Sequence, residues 1–146
     1  MKIGEIRKLR SGELQTISAE ETVHCAVKKL AGNNIGALPV CDENGQLVGI
    51  ITERDVLRLV AADDAQAALQ KKVAEIMTRN LVVSELTDDI EYAMHVMTNK
   101  RIRHLPILVD QKLVDILSIG DVVKAKLEVS VEENRFLREY VANGAG

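Results

Sequence analysis

The chain has two prolines, no tryptophan, one phenylalanine and two tyrosines among its 146 residues. With so few aromatics, any core must be aliphatic, made from Val, Ile, Leu, Ala and Met, and the 47% hydrophobic content is enough to make one. Two cysteines, Cys25 and Cys41, exclude a disulfide-rich framework and form no metal-like cluster; they read as reduced packing residues. Neither sign of charge dominates. Lys and Arg number 19, Asp and Glu 22, and the net charge of −3 is spread along the chain. The concentrated basic surface that a phosphate backbone demands is missing, so nucleic acid is not an expected partner. Long apolar runs are missing too. Leu105-Pro106-Ile107-Leu108-Val109 is too short to span a bilayer. Met1-Lys2-Ile3-Gly4-Glu5 lacks the apolar core of a signal peptide. The expectation is a cytoplasmic protein without a membrane partner.

Catalytic signatures are equally scarce. The chain holds no G-x-x-x-x-G-K-[ST] loop, no G-x-G-x-x-G and no G-x-S-x-G elbow. His24, His95 and His104 have no ligand-like spacing. Glu91 and His95 stand four apart on one expected helix, which reads as a surface contact and not a metal site. Met77, Met94 and Met97 read as core packing. Asp55 has no nucleophile beside it. The expectation is no catalysis, no metal and no catalytic cofactor.

What the chain does have is repetition. Its two prolines stand in matching phrases, Ile35-Gly36-Ala37-Leu38-Pro39-Val40 and Ile102-Arg103-His104-Leu105-Pro106-Ile107, offset by 67 positions (106 minus 39). The same offset lays Leu14 on Leu81, Val23 on Ile90, Ala26 on Ala93 and Leu30 on Met97. Beyond the turn Asp42-Glu43-Asn44-Gly45 the offset falls to 66, because the second copy turns at Asp110-Gln111. Turns tolerate such a deletion, so the pattern signals duplication of one supersecondary unit.

Within each copy the hydrophobic period changes in order. Leu14 to Ile17 is expected as a short strand. A helix follows Thr22 with Val23, Ala26, Val27, Leu30 and Ala31 on one face, matched by Ile90, Ala93, Met94 and Met97 behind Asp88 or Asp89. Ala37 to Cys41 and Leu47 to Thr52 read as strands joined by a hairpin turn. A second helix begins after Thr52 and carries Val56, Leu57 and Val60. Each half therefore reads β-α-β-β-α, an α+β fold, with a leading helix at Ile3-Gly4-Glu5-Ile6 and again at Val73-Ala74-Glu75-Ile76. One unit is too small to stand alone, so the two sheets are expected to pack about a pseudo-twofold axis. The expected divisions are 1–62 for repeat 1 with its leading helix, 63–80 for a helical connector and second leading helix, 81–127 for repeat 2, and 128–146 for a C-terminal helix and a frayed tail. That last helix carries Val123, Leu127, Val131, Phe136, Leu137, Tyr140 and Val141, an irregular stripe expected to dock on a second subunit, with folding back on the same chain as the alternative.

The strongest chemical signal lies where the second long strand of each copy ends. Thr52 and Asp55 have capping-box spacing, and so do Ser118 and Asp121. An ordinary capped helix accounts for each box. A ligand site uses the same geometry: N–H groups at a helix start attract phosphate, the hydroxyl bonds a phosphate oxygen, and the Asp takes both hydroxyls of a ribose. Gly49 would let a ligand approach the backbone.

These residues resemble a known family. The Leu-Pro-Val and Leu-Pro-Ile strands, with Gly-h-h-Thr-x-x-Asp (h apolar), are similar to a tandem pair of CBS (cystathionine-β-synthase-type) domains, a Bateman module, over Leu14 to about Leu127. With its Arg-His-Leu-Pro phrase and long last helix, the chain is also similar to small bacterial CBS-pair proteins. The resemblance implies a regulatory module for an adenosyl ligand: AMP, ADP, ATP, NAD(H) or S-adenosylmethionine. It implies composite clefts. One would join Thr52, Arg54 and Asp55 with Val82, Ile102, Arg103 and His104; the other would join Ser118 and Asp121 with Gln15, Ile35, Gly36 and Ala37. Arg103 and His104 bring charge to the first, where charge-assisted bonds to phosphate are strong, while Asp115 replaces Gly49 in the second copy. The first is therefore expected to be the main phosphate-bearing cleft. A homodimer and an unidentified regulated protein are the expected partners. A structural or interaction protein that keeps the fold without binding ligand is the alternative.

Overall fold

The computed structural model describes residues 1–7, 14–62 and 64–144. In chain order it runs α1 (Ile3–Arg7), β1 (Ile17–Ser18), α2 (Val23–Gly32), β2 (Ala37–Cys41), β3 (Leu47–Thr52), α3 (Glu53–Ala62), α4 (Ala65–Gln70), α5 (Val73–Ile76), β4 (Ser84–Glu85), α6 (Ile90–Lys100), β5 (His104–Val109), β6 (Lys112–Ser118) and α7 (Ile119–Gly144). Two three-stranded sheets result, ordered β1-β2-β3 and β4-β5-β6. The α+β architecture and the β-α-β-β-α order of both copies agree with the sequence reading. The first strand is shorter than expected, since only Ile17 and Ser18 pair with β2 and Leu14 to Thr16 do not. The connector is helical as α4, although its first residue and the last two of the tail lie outside the described residues.

The chain forms two compact units, one of residues 1–10, 86–105 and 117–146, the other of residues 11–85 and 106–116. The second unit's core gathers Ile17, Ala26, Leu30, Leu38, Val40, Ile51, Val73 and Met77. The first unit buries Ile3, Ile6, Ile90, Ala93, Met97, Leu105, Leu117, Val122 and Ala125. The core is aliphatic, and all three aromatics, Tyr92, Phe136 and Tyr140, are exposed. On α2 the face is narrower than its periodicity suggests: Val23, Ala26 and Leu30 are buried but Ala31 is exposed.

A proline in a central strand normally removes a ladder bond. Pro39 in β2 does not, because its partner Ile50 aims its own N–H and C=O at the opposite edge, to Thr78 at 3.0 and 2.8 Å. In an antiparallel pair the groups of Pro39 then face β1, which reaches only Val40 and Cys41.

Each leading helix hydrogen-bonds to the copy that it does not directly precede. The N–H groups of Ile3 and Gly4 donate to the carbonyls of Asp88 and Leu86, and that of Ile90 to Met1, all at 2.9–3.0 Å. In the same pattern Val73 donates to Glu21, Ala74 to Ala19, and Val23 to Lys71, at 2.8–3.0 Å. A salt bridge accompanies each set, Lys2 to Asp89 at 2.9 Å and Lys72 to Glu20 at 2.6 Å. Asp89 stands at the N-cap of α6, yet its side chain makes no capping bond. Thr22 does cap α2, accepting from the N–H of Cys25 at 3.2 Å.

Candidate functional site

Both strand-end boxes are formed. Thr52 ends β3, and its N–H donates to Asp55 Oδ2 at 2.9 Å while its hydroxyl accepts from the N–H of Asp55 at 3.3 Å. Ser118 ends β6 and does the same with Asp121, at 2.9 and 3.1 Å. The reciprocal bonds satisfy donors at the starts of α3 and α7 and fix each carboxylate against the helix N-terminus, where its charge is favoured. All four residues are half-buried.

The pre-proline segments are built against the box of their own copy. The N–H of Glu53 donates to the carbonyl of Gly36 at 3.1 Å, and Ala37 sits opposite Thr52 in the β2–β3 ladder. In repeat 2 the N–H of Ile119 donates to the carbonyl of Arg103 at 2.8 Å. These carbonyls are therefore engaged in starting a helix, and what each segment offers a ligand lies in its side chains. Arg103 is exposed and His104 half-buried at the start of β5, where repeat 1 has the half-buried Gly36 and the buried Ala37. Ile35 and Ile102 are half-buried, as are Gln15 before β1 and Val82 before β4; Arg54 is exposed on α3.

Thr78 was not singled out in the sequence. It follows α5, pairs with Ile50 and places its hydroxyl 3.3 Å from Asp55 Oδ1. Asp55 thus holds two neighbouring hydroxyls, since the Thr52 hydroxyl lies 3.2 Å from its other oxygen. A carboxylate that already accepts hydroxyl hydrogens can accept those of a sugar diol by exchanging partners. One signal was legible: Ser11 lies 67 positions before Thr78, so a hydroxyl residue recurs in both copies.

Gly49 is not a point of ligand approach. A Cβ there would stand 2.6 Å from Met77 Sδ and 3.0 Å from the Thr78 carbonyl oxygen. The glycine makes room for the chain's own connector. Its counterpart Asp115 is half-buried and accepts the N–H of Ile116 at 2.7 Å.

The remaining candidates have structural partners. Glu91 bridges to Lys126 at 3.0 Å and His95 pairs with Asn99 at 2.8 Å. Burial and then the Asp42 carboxylate push the Cys41 thiol above its usual range, which keeps it protonated and unreactive at neutral pH. Among the described residues no helix is long and apolar enough to cross a membrane.

With this geometry in hand, the chain can be set beside known proteins. The family model of the CBS domain matches twice, at residues 3–62 and 73–128. The mitochondrial CBS domain-containing protein CBSX3 of Arabidopsis thaliana is 36% identical over 141 residues, covering 94% of this chain and 68% of the relative. The crystal structure of the CBS-domain containing protein ATU1752 from Agrobacterium tumefaciens superposes with a TM-score of 0.81 at 34% identity, covering 86% of this chain and 92% of that one. Two further crystal structures hold ligands. The CBS domain pair of MJ0100, in complex with 5′-methylthioadenosine and S-adenosyl-L-methionine, has a TM-score of 0.75 at 28% identity over 86% of this chain and 98% of that one. CBSX2 in complex with AMP has a TM-score of 0.73 at 27% identity over 88% and 98%.

Proposed function

This chain belongs to the CBS-domain family as a tandem pair, and from that premise we propose that it is a non-catalytic regulatory module for an adenosine-containing ligand. The observation that carries the proposal is the carboxylate–hydroxyl box at the end of the same strand in both copies, Thr52/Asp55 and Ser118/Asp121. AMP in one related structure and S-adenosylmethionine in another support the adenosyl class. Asp55, with the hydroxyls of Thr52 and Thr78 beside it, is the ribose acceptor in this reading. By the family resemblance, Ile102, Arg103 and His104, and Gln15, Ile35, Gly36 and Ala37, are assigned to ligand binding as well. A sensor must bind its ligand differently in two states, so the signal leaves through self-association or through contact with another protein.

A purely structural module is the second reading, favoured by the fact that both Asp55 oxygens already have partners within the chain. Calorimetric titration with AMP, ATP, NADH and S-adenosylmethionine separates the two. At least one of them is expected to bind with a Kd in the micromolar to low-millimolar range, and Asp55→Ala to weaken it about tenfold or more, further than Asp121→Ala does. Because Asp55→Ala also removes a cap, Asp55→Asn and a melting curve accompany it. Absence of heat and of any shift in Tm with all four ligands would leave the structural reading.

A further inference from the structure

We propose that the outer half of α7 pairs antiparallel with the same segment of a second copy of this chain, about a twofold axis passing beside Asn134. Near its start α7 is held by its own unit: Val122 and Ala125 are buried, Val129 is half-buried and Lys126 bridges to Glu91. From Ser130 to Asn143 every residue is exposed. A helical stretch of that length is marginal in water by itself, so it needs a covering surface.

The apolar stripe indicates what covers it. Leu127, Val131, Asn134, Leu137 and Val141 follow one another at intervals of four, three, three and four residues. At 3.6 residues per turn they share an arc of about 120°. The series reads the same from either end, with its one polar member at the centre. In an antiparallel pair, Leu127 then meets the second copy's Val141, Val131 meets its Leu137, and Asn134 meets its own counterpart, amide to amide. A polar residue at one seam position is a known means of fixing register. Antiparallel pairing opposes the two helix dipoles and brings Glu133 level with the second copy's Arg135. Parallel pairing would set every charge level with its like.

The area suffices. Leu127, Val131, Leu137 and Val141 are 57% to 65% exposed, and Asn134 at the centre is exposed as well. At roughly 100 Å² each, these five supply about 500 Å² per chain, which reaches the ~1,000 Å² total of a specific interface.

The inference names the surface for the self-association in the proposed function and is independent of the ligand. Its test uses the full chain carrying Asn134→Cys, Leu127→Cys or Val141→Cys under mild oxidation, with the wild type as control for Cys25 and Cys41. All three positions are exposed, and melting curves confirm folding. Asn134→Cys is expected to cross-link to itself. Leu127→Cys and Val141→Cys are expected to cross-link several-fold better when mixed than when alone. Efficient self-cross-linking of Leu127→Cys and Val141→Cys would establish parallel pairing and overturn the proposal. So would an Asn134→Cys dimer that stays reduced, or a wild-type chain that sediments as a monomer at tens of micromolar. Failure of nucleotide binding leaves all these outcomes unchanged, so the two proposals fail separately.

Discussion

The two copies pair their first strands in the same register but meet its demands with different residues. Ile17 stands opposite Val40 in the first sheet, and Ser84 stands opposite Ile107 at the same place in the second. Both are only 2% exposed, yet one is a buried aliphatic side chain and the other a hydroxyl without a hydrogen-bond partner among the described residues. Where α2 gives way to β2, Asn34 takes a left-handed conformation; after α6 it is Arg101 that does so. Asparagine tolerates that region better than arginine. The first hairpin turns on Gly45 at φ +76°, with Asp42 Oδ1 accepting from Asn44 and Gln46, whereas the second puts both Asp110 and Gln111 at positive φ. Repeat 1 is locally consistent at each of these points, and repeat 2 carries the strain. A duplicated unit can therefore keep its topology while losing local optimisation in one copy.

Exchanging the two strand residues tests this contrast most severely. Ile17→Ser should destabilise the protein by about 3–5 kcal/mol, since it removes a buried aliphatic side chain and leaves a hydroxyl in its place. Ser84→Val should do the opposite, stabilising by about 1 kcal/mol as the unpaired hydroxyl disappears. Urea denaturation at constant m-value measures both. If Ser84→Val is destabilising, the hydroxyl is satisfied by a bound water and the contrast between the copies is not one of stability.

The contrast also explains what could be read from the sequence. The Leu-Pro strands, the hairpin positions and the Thr52/Asp55 and Ser118/Asp121 boxes are local patterns, and β2 and β3 begin and end at the expected residues. Contacts made across long separations were not legible. Neither Ile3 nor Val73 carries a sign that its N–H will seek Asp88 or Glu21, because any backbone can make that bond. The exposure of Leu57 on α3, at 69%, was hidden for a similar reason. Periodicity identifies an apolar face but not whether anything lies against it. Gly49 shows the limit most clearly. A ligand's approach and a methionine's packing both demand the absence of a Cβ, and only the position of Met77 tells them apart.

That close approach leads to the next prediction in size. Gly49→Ala should cost about 1–3 kcal/mol by overpacking, because Met77 is buried and the Thr78 carbonyl is held by its bond to Ile50. Met77→Ala, which opens space at the same point, should cost less in the Gly49→Ala background than alone. A double-mutant cycle reads that coupling directly. Additive effects would mean that the connector moves aside as a whole. The Thr78 hydroxyl would then leave Asp55, and ligand affinity would fall in Gly49→Ala but survive in Asp115→Ala.

The smallest effects belong to the salt bridges that fasten the two leading helices, Lys2 to Asp89 and Lys72 to Glu20. Lys2 donates to Asp89 and holds its carboxyl below the usual carboxylate range, first through the hydrogen bond and then through its charge. A depressed carboxyl pKa contributes stability that is present above the unfolded value near pH 4 and disappears as the pH falls through the folded value. Lys72 is shifted the other way, raised by its hydrogen bond to Glu20 and then by the charge of that residue. Its contribution is present below the unfolded value near pH 10.4 and disappears as the pH rises through the folded one. Each bridge pairs an ammonium with a carboxylate and needs both charged, so acid and alkali each weaken it. Both are exposed to solvent, so each effect is small and salt should shrink it. Side-chain NMR titration resolves them. Lys2→Met should raise the Asp89 midpoint without moving that of Lys72, and Glu20→Gln should lower the Lys72 midpoint without moving that of Asp89. If Lys2→Met leaves Asp89 unchanged, the backbone bonds of Ile3, Gly4 and Ile90 hold α1 unaided, and the two helices differ in sequence but not in how they are fastened.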